Sequence, residues 1–309
     1  IDIKASAFTD QVGSITDRDF VERCMTGVDA VLHSATLHKP HVATHSRQDF
    51  IDTNITGTLN LLEAANRAGV GAFIYTSTTT TFGDAMRPSP GGPAVWVTED
   101  LAARPKNIYG VTKTSAESLC ELFHRNLNLP CIVLRTSRFF PEDDDNRGKR
   151  TAFEDDNLKV NELLFRRADI QDIVAAHVLA IEKAPEVGFD RLIISSTTPF
   201  QRTDAAELGV DAPSVLKRYV PGYEKQYATR GWKMFSSIGR VYDNSRARKV
   251  LGWEPEYDFA HVIQLLSEGG DYQSQLARLV GAKGYHDTNF DEGPYPVDES
   301  PLIKTGHDR

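Results

Sequence analysis

Four short, mainly apolar runs without polar alternation constrain this chain most: Val28 to His33, Ala72 to Ser77, Cys131 to Arg135 and Arg191 to Ser195. A strand with no polar alternation has no face for water, so it belongs in a sheet covered on both sides. Between the runs lie helical patterns. One starts at a Thr16 or Asp17 cap, runs to Met25 and is closed by Gly27. A second spans Arg47 to Ala68, with Ile55, Leu59, Leu62 and Ala65 on one face and Gly69 as its stop. Others cover Tyr109 to Leu119 and Asp169 to Glu182. Buried strands alternating with helices predict a parallel sheet in an α/β fold. Ile1 to Lys4 reads as the end of a strand and Gln11 to Ile15 as a short one. Residues 83–100, rich in Pro and Gly, read as a loop. From Phe200 the pattern is mainly helical, with a short strand at Val241 to Asn244. The tail after Gly281 has little periodicity and reads as an arm packed over a neighbour or a cleft.

A chain of 309 residues can bury a large core. Its formal charge is −8, with Lys and Arg scattered, so no basic stripe points to nucleic acid. Cys24, Cys120 and Cys131 form no Cys-x-x-Cys pair and fit buried thiols in a reducing compartment. No apolar run is long enough for a bilayer span and no signal peptide is present, so the expected location is cytoplasmic. His33, His38, His41 and His45 cluster around one loop without ligand spacing or a carboxylate partner, and no metal site is expected.

The stretch Pro105-Lys106-Asn107-Ile108-Tyr109-Gly110-Val111-Thr112-Lys113 carries the chemistry. On a helix, Tyr109 and Lys113 sit one turn apart on one face. An ammonium beside a phenol favours phenolate; working near neutral pH needs a shift of roughly three units, about 4 kcal/mol. Most pairs at this spacing are solvated helix faces, so the surroundings decide. In a parallel sheet the loops after the strand ends form the ligand crevice. Asn54, Ser77, Thr78, Tyr109 and Lys113 all fall there or nearby.

This set, in this order, resembles the extended short-chain dehydrogenase/reductases, specifically the NAD-dependent epimerase/dehydratase family. The matching segments are Asp29 to Ala35, Asn54 to Ala65, Tyr75 to Thr78 through Phe82-Gly83, the tyrosine stretch, and Leu134-Arg135. Asp169 to Val174, and Ser245-Arg246-Ala247 to Leu251-Gly252-Trp253, complete the match. The resemblance implies a Rossmann-type doubly wound parallel sheet with a smaller, mainly helical C-terminal substrate lobe. The expected division gives residues 1–136 and 167–198 to the dinucleotide-binding domain, and 137–166 and 199–309 to the substrate lobe and tail. It implies Tyr109 as general acid/base and Lys113 as holder of the nicotinamide ribose and depressor of the tyrosine pKa. Thr78, with Ser77 as neighbouring candidate, would stabilise the reacting oxygen, and Asn54 would support the network.

The family begins with strand, glycine-rich turn, helix and second strand, and no G-x-x-G-x-x-G turn occurs in this chain. The expectation is that residue 1 lies at the end of that second strand, with the turn in an N-terminal segment outside this sequence. Asp2 then takes the ribose-binding acidic position and favours NAD over NADP, with Lys4 nearby tolerating a 2′-phosphate. Ser14 and Ile15 fall at the adenine. Ser34, Ala35 and Thr36 line the dinucleotide, with His38 and Ser137 further cofactor contacts alongside Asn54, Tyr109 and Lys113. Thr78, Thr79 and Arg138 are the substrate-side candidates; Arg138 reads either as an anion binder or as the partner of an acid among Glu142 to Asp145. Where 4,6-dehydratases carry an acid after the Thr, this chain has Thr79 and Thr80; where sugar epimerases carry Asn after Leu-Arg, it has Thr136-Ser137-Arg138. The segment from Pro141 to Arg166 is also shorter than the usual nucleotide-sugar clamp. The resemblance thus implies an NAD-dependent sugar or nucleotide-sugar epimerase. A dehydrogenase/reductase of a small, anionic alcohol or carbonyl compound is the alternative, and a non-catalytic dinucleotide sensor a third. A homodimer through the helices near Asn54 and Tyr109, acting on a small molecule, is expected.

Overall fold

The computed structural model describes residues 1–282, 284 and 290. Its main sheet contains β1 (Ala30–His33), β2 (Ala72–Thr78), β4 (Cys131–Thr136) and β5 (Phe189–Ile194), all parallel and in the order β1-β2-β4-β5. β3 (Val95–Val97) and β6 (Arg240–Tyr242) pair in parallel as a separate small sheet.

The apolar strands explain the layering. Phe73, Tyr75, Cys131 and Val133 face one side and pack on α1 (Arg18–Cys24), α3 (Gly57–Ala68) and α4 (Ile108–Leu127). Their sequence neighbours Ala72, Ile74, Ile132 and Leu134 face the other side. There they meet α7 (Ile170–Val187) and α11 (Ser245–Leu251). Ala176, Ala180 and Ala184, at i, i+4 spacing on α7, are fully buried and let that helix lie close to the sheet. A second core lies beyond the sheet. It joins Val160 to Phe165 from α6 (Asp155–Leu163) and the turn after it with α8 (Ala205–Leu208), α9 (Ala212–Tyr219), α10 (Tyr223–Arg230) and α12 (Phe259–Ser267).

The Asp169 to Val174 motif ties these layers. Asp169 caps α7 and accepts from the Ser274 hydroxyl at 2.5 Å, just before α13 (Gln275–Val280). Asp172 accepts the backbone N–H groups of Glu256 and Tyr257, both at 2.9 Å, while the Trp253 indole donates to its carbonyl. Burial raises the Asp172 carboxyl to about 6.

Several expectations are corrected. Gln11 to Ile15 is not a strand: a single bridge joins Asp2 to Val12, and Ile15 sinks into the core with its carbonyl held by Asn60. Residues 83–100 contain β3, which exists because β6 offers it a partner from a distant part of the chain, invisible to local patterning. The helix expected over 47–68 is broken into α2 (Arg47–Ile51), a π turn (Asp52–Thr56) and α3. The π turn brings Asn54 inward, and Thr58 Oγ1 donates back to the Asn54 carbonyl at 2.7 Å. In segment 137–166, α5 (Arg147–Ala152) precedes α6. Most of the tail after Gly281 lies outside the described residues. No helix among the described residues is long and apolar enough to cross a membrane.

Candidate active site

A cleft of about 1200 Å³ opens at the carboxyl ends of the parallel strands, between the sheet and the loops carrying Arg138 to Lys149. Its floor starts from β2. After Thr78 the chain turns through 3₁₀ geometry, and Gly83 adopts φ +50° where a Cβ would lie 1.9 Å from the Arg104 carbonyl. That close approach lets Asp84 N–H bond Arg104 O at 2.9 Å and delivers the chain to Asn107. Asn107 caps α4 by accepting from Gly110 N at 3.0 Å. Gly110 has no room for a side chain either, since a Cβ would meet Pro105 at 2.8 Å and the Thr80 carbonyl at 3.3 Å. The first turn of α4 is therefore pressed against the Thr tract, and Tyr109 lines the cleft with only 2% of its surface exposed.

Lys113, one turn further, is 1% exposed. Its Nζ donates to the Thr76 carbonyl at 2.6 Å and lies 4.1 Å over the Tyr75 ring. Burial pushes the ammonium down to about 7, although Glu117 on the same helix acts the other way. Glu117 is itself engaged elsewhere: Arg135 donates to it at 2.7 Å and the Ser77 hydroxyl at 2.5 Å. Thus Ser77 faces a buried ion pair, whereas the Thr78 hydroxyl, among the described residues, donates to the Thr80 hydroxyl and accepts from Thr80 N, both at 3.1 Å. Both line the cleft, as do Thr79 and Thr80.

Asn54 is not among the cleft-lining residues. Its Oδ1 accepts from the Thr36 hydroxyl at 2.9 Å and Leu37 N at 2.7 Å. Its Nδ2 donates to Leu37 O and Thr112 Oγ1, both at 3.0 Å. All four bonding positions of the amide are filled, so it braces the 36–38 loop against α4. His38, on that loop, has its ring 4.9 Å from that of Tyr109 and lines the cleft. Burial, with help from the Lys113 charge, lowers both His33 and His38 to about 3, so both are neutral imidazoles. His33 sits in the core on Thr58 at 2.8 Å, and His41 stacks edge-on against His45.

Of the remaining candidates, Ser34, Thr36 and Ser137 line the cleft, and the buried Ser137 hydroxyl has no bonding partner among the described residues. Ala35 is exposed beside them; Asp2 and Ser14 lie outside the cleft, Asp2 exposed and accepting from Lys4 N. Arg138 finds its internal partners: it pairs with Asp144, with Asp145 at 3.4 Å and with Glu162 at 3.5 Å. Glu162 also binds Arg166 and, at 3.0 Å, Arg167. Burial would raise its carboxyl, but the three guanidiniums hold it well below the ordinary range. Sequence reasoning missed Glu117; an acid one turn beyond Lys113 and a buried-strand Arg135 were the available signal. It also missed Lys149 and Arg240, which line the cleft from α5 and β6 and sit in no recognisable pattern.

The family model described as the NAD dependent epimerase/dehydratase family matches residues 6–189. The chain belongs to that family. UDP-glucose 4-epimerase of Rhizobium meliloti is 26% identical over 286 residues, covering 82% of this chain and 80% of that protein. Uronate dehydrogenase of Pseudomonas syringae pv. tomato is 25% identical over 206 residues, covering 65% and 70%. A short-chain dehydrogenase/reductase superfamily protein of Agrobacterium tumefaciens, solved with bound NAD, superposes with a TM-score of 0.60 at 21% identity, over 90% of this chain and 89% of that one. Members of the epimerase/dehydratase family are enzymes, and the parallel sheet with flanking helices is the fold they share with this chain.

Proposed function

We propose that this chain is an NAD-dependent epimerase of a sugar or nucleotide-sugar that works by transient oxidation of a secondary alcohol. The observation that carries the reading is the joining of Tyr109, Lys113 and Thr78 along one cleft floor at the strand ends. NAD, when bound, supplies the hydride acceptor. The nicotinamide half fits this chain, because the buried Ser137 hydroxyl, without a partner among the described residues, lines the cleft together with Ser34, Thr36, His38 and Lys113. Asp2 remains the residue proposed to favour NAD over NADP.

Tyr109 takes the proton of the substrate hydroxyl and returns it when the carbonyl is reduced again. Thr78 Oγ1 donates to the reacting oxygen and steadies the charge that develops there. Lys113, in its charged form, favours the phenolate. Its bond to Thr76 O fixes it over Tyr75, so the cation keeps one position relative to Tyr109. Asn54 acts by positioning, since its amide is spent on the 36–38 loop and α4. α4 also presents Val111, Leu122 and Leu127 to solvent, which supports a homodimer paired through this helix.

A second reading, a dehydrogenase of a small, anionic alcohol or carbonyl compound, draws support from the short segment between Pro141 and Arg166 alone, since Arg138 is bound to Asp144 and Asp145. Purified protein that retains NAD favours the epimerase; protein that consumes NAD with an alcohol favours the dehydrogenase. In either case Tyr109→Phe removes turnover, by 10²-fold or more, with NAD affinity nearly unchanged. Wild-type turnover in that variant would overturn the mechanism.

A further inference from the structure

The interface between the sheet and α7 is built from Ala72, Ile74, Ile132 and Leu134 against Ile173, Ala176, Ala180 and Ala184. One polar pair crosses it. Thr76 follows Ile74 by two residues and stands on the same face of β2. Its hydroxyl meets His177 Nε2 at 2.8 Å, and among the described residues this is the one side-chain hydrogen bond between α7 and the main sheet.

The sense of that bond is fixed. His177 Nδ1 lies 2.8 Å from the Ile173 carbonyl, which can only accept, so Nδ1 carries the proton. Burial lowers the imidazole below its ordinary range, although the bond to Ile173 acts the other way, so the ring is neutral at pH 7. Nε2 then has a lone pair and no proton, and the Thr76 hydroxyl donates to it.

The backbone of the same residue serves the other side of the sheet. Lys113 Nζ, coming from α4, donates to the Thr76 carbonyl at 2.6 Å, its one hydrogen bond among the described residues. The β1–β2 ladder stops at His33 and Tyr75, one residue earlier, so Thr76 is paired in the sheet with Leu134 of β4 alone. On this thinly held stretch the side chain supplies the missing anchor. α7 is a firm support for it, since Ala176, Ala180 and Ala184 are fully buried and Asp172 is bonded to Glu256 and Tyr257. A β-branched side chain is stiff at χ1, so a hydroxyl tied to a seated helix ties its backbone too.

We propose that His177 is a positioning residue which, through Thr76, sets the place of the Lys113 ammonium relative to Tyr109 from the opposite face of the sheet. The role rests on the proposed reaction, in which the distance between cation and phenol decides how strongly phenolate is favoured. Besides Tyr109, the titratable groups facing Lys113 are Glu117 and Cys120 on its own helix, the Tyr75 ring, and His33 and His38. None of them is hydrogen-bonded to Thr76 or His177 among the described residues.

The test follows Lys113 by NMR of lysine labelled with ¹³C at Cε, without substrate, beside steady-state turnover. Thr76→Val keeps the side-chain shape and removes the donor, Thr76→Ser keeps the donor, and His177→Leu removes the acceptor. Ala180→Gly loosens the seat of α7 without touching the pair. Without its anchor the ammonium gains water, so in Thr76→Val and His177→Leu the lysine midpoint should rise by about one unit. In both, kcat should fall about tenfold and the acid limb of the kcat/KM profile should move up. Thr76→Ser should match the wild type. Ala180→Gly should lower the thermal midpoint while leaving the lysine titration and kcat unchanged. Thermal melts show which variants are folded, and either Thr76→Val or His177→Leu decides by itself. A wild-type lysine midpoint in one of those two when folded, or an equal shift in Thr76→Ser or Ala180→Gly, would overturn the role. The lysine signal is read without substrate, so that failure leaves the reaction standing. Wild-type turnover in Tyr109→Phe would instead overturn the reaction and leave the lysine titration as it is.

Discussion

The floor and the wall of the cleft both bury positive charge, and they treat it in opposite ways. On the wall, Arg138, Arg166 and Arg167 converge on Glu162, with Asp144 and Asp145 completing the network. On the floor, Lys113 has a carbonyl and an aromatic face but no carboxylate in contact, because Glu117 is committed to Arg135 and Ser77. The wall charges are neutralised and hold the loop in place. The floor charge is left uncompensated, and an uncompensated buried ion is what a reacting site needs in order to shift a neighbour or greet a ligand. The pairing of a cation, more than its presence in a cleft, separates structure from chemistry here.

The largest effect that could break this contrast is at the wall. Glu162→Ala leaves three guanidiniums facing one another and should cost roughly 3–5 kcal/mol in denaturant unfolding. A change under about 1 kcal/mol would mean that water, not Glu162, solvates them. Removal of the floor cation should have the opposite sign. The Lys113 amine titrates near 7 in the fold against an ordinary 10.5, so the unfolded chain holds the extra proton between those values. Stability attributed to this group is present above pH 10.5 and is lost as pH falls to about 7. Lys113→Met should therefore abolish turnover yet raise stability at pH 7 by roughly 2–4 kcal/mol, allowing for the lost bond to Thr76, with the gain vanishing toward pH 10.5.

The two adjacent hydroxyls sharpen the contrast further. Thr78→Ala should lower kcat about 10²-fold with little loss of stability. Ser77→Ala, which removes a donor to the buried Glu117, should cost about 1–2 kcal/mol and leave kcat within roughly threefold. Steady-state kinetics and chemical unfolding on the two variants check both statements.

The sequence made the sheet legible because its strands are built on unbroken apolar cores: β1, β2, β4 and β5 lie within two residues of the runs that mark them. The Tyr109–Lys113 turn was legible because a helix fixes i, i+4 neighbours. What stayed hidden depends on contacts distant along the chain. β3 needs β6, the partner of Ser77 is forty residues away, and Arg138 is claimed by acids that sequence alone offered only as alternatives to a substrate. Asn54 shows a subtler limit. Its place in the motif was visible, but the π turn that aims its amide at Leu37 and Thr112 depends on how α3 packs.

The floor can be examined without any substrate. Lysine labelled with ¹³C at Cε, assigned by comparison with Lys113→Met and followed by NMR from pH 5 to 11, reports this amine directly. A midpoint near 7 is the expected result, and a midpoint at the ordinary 10.5 would show that the buried charge is fully compensated and would contradict the distinction between floor and wall.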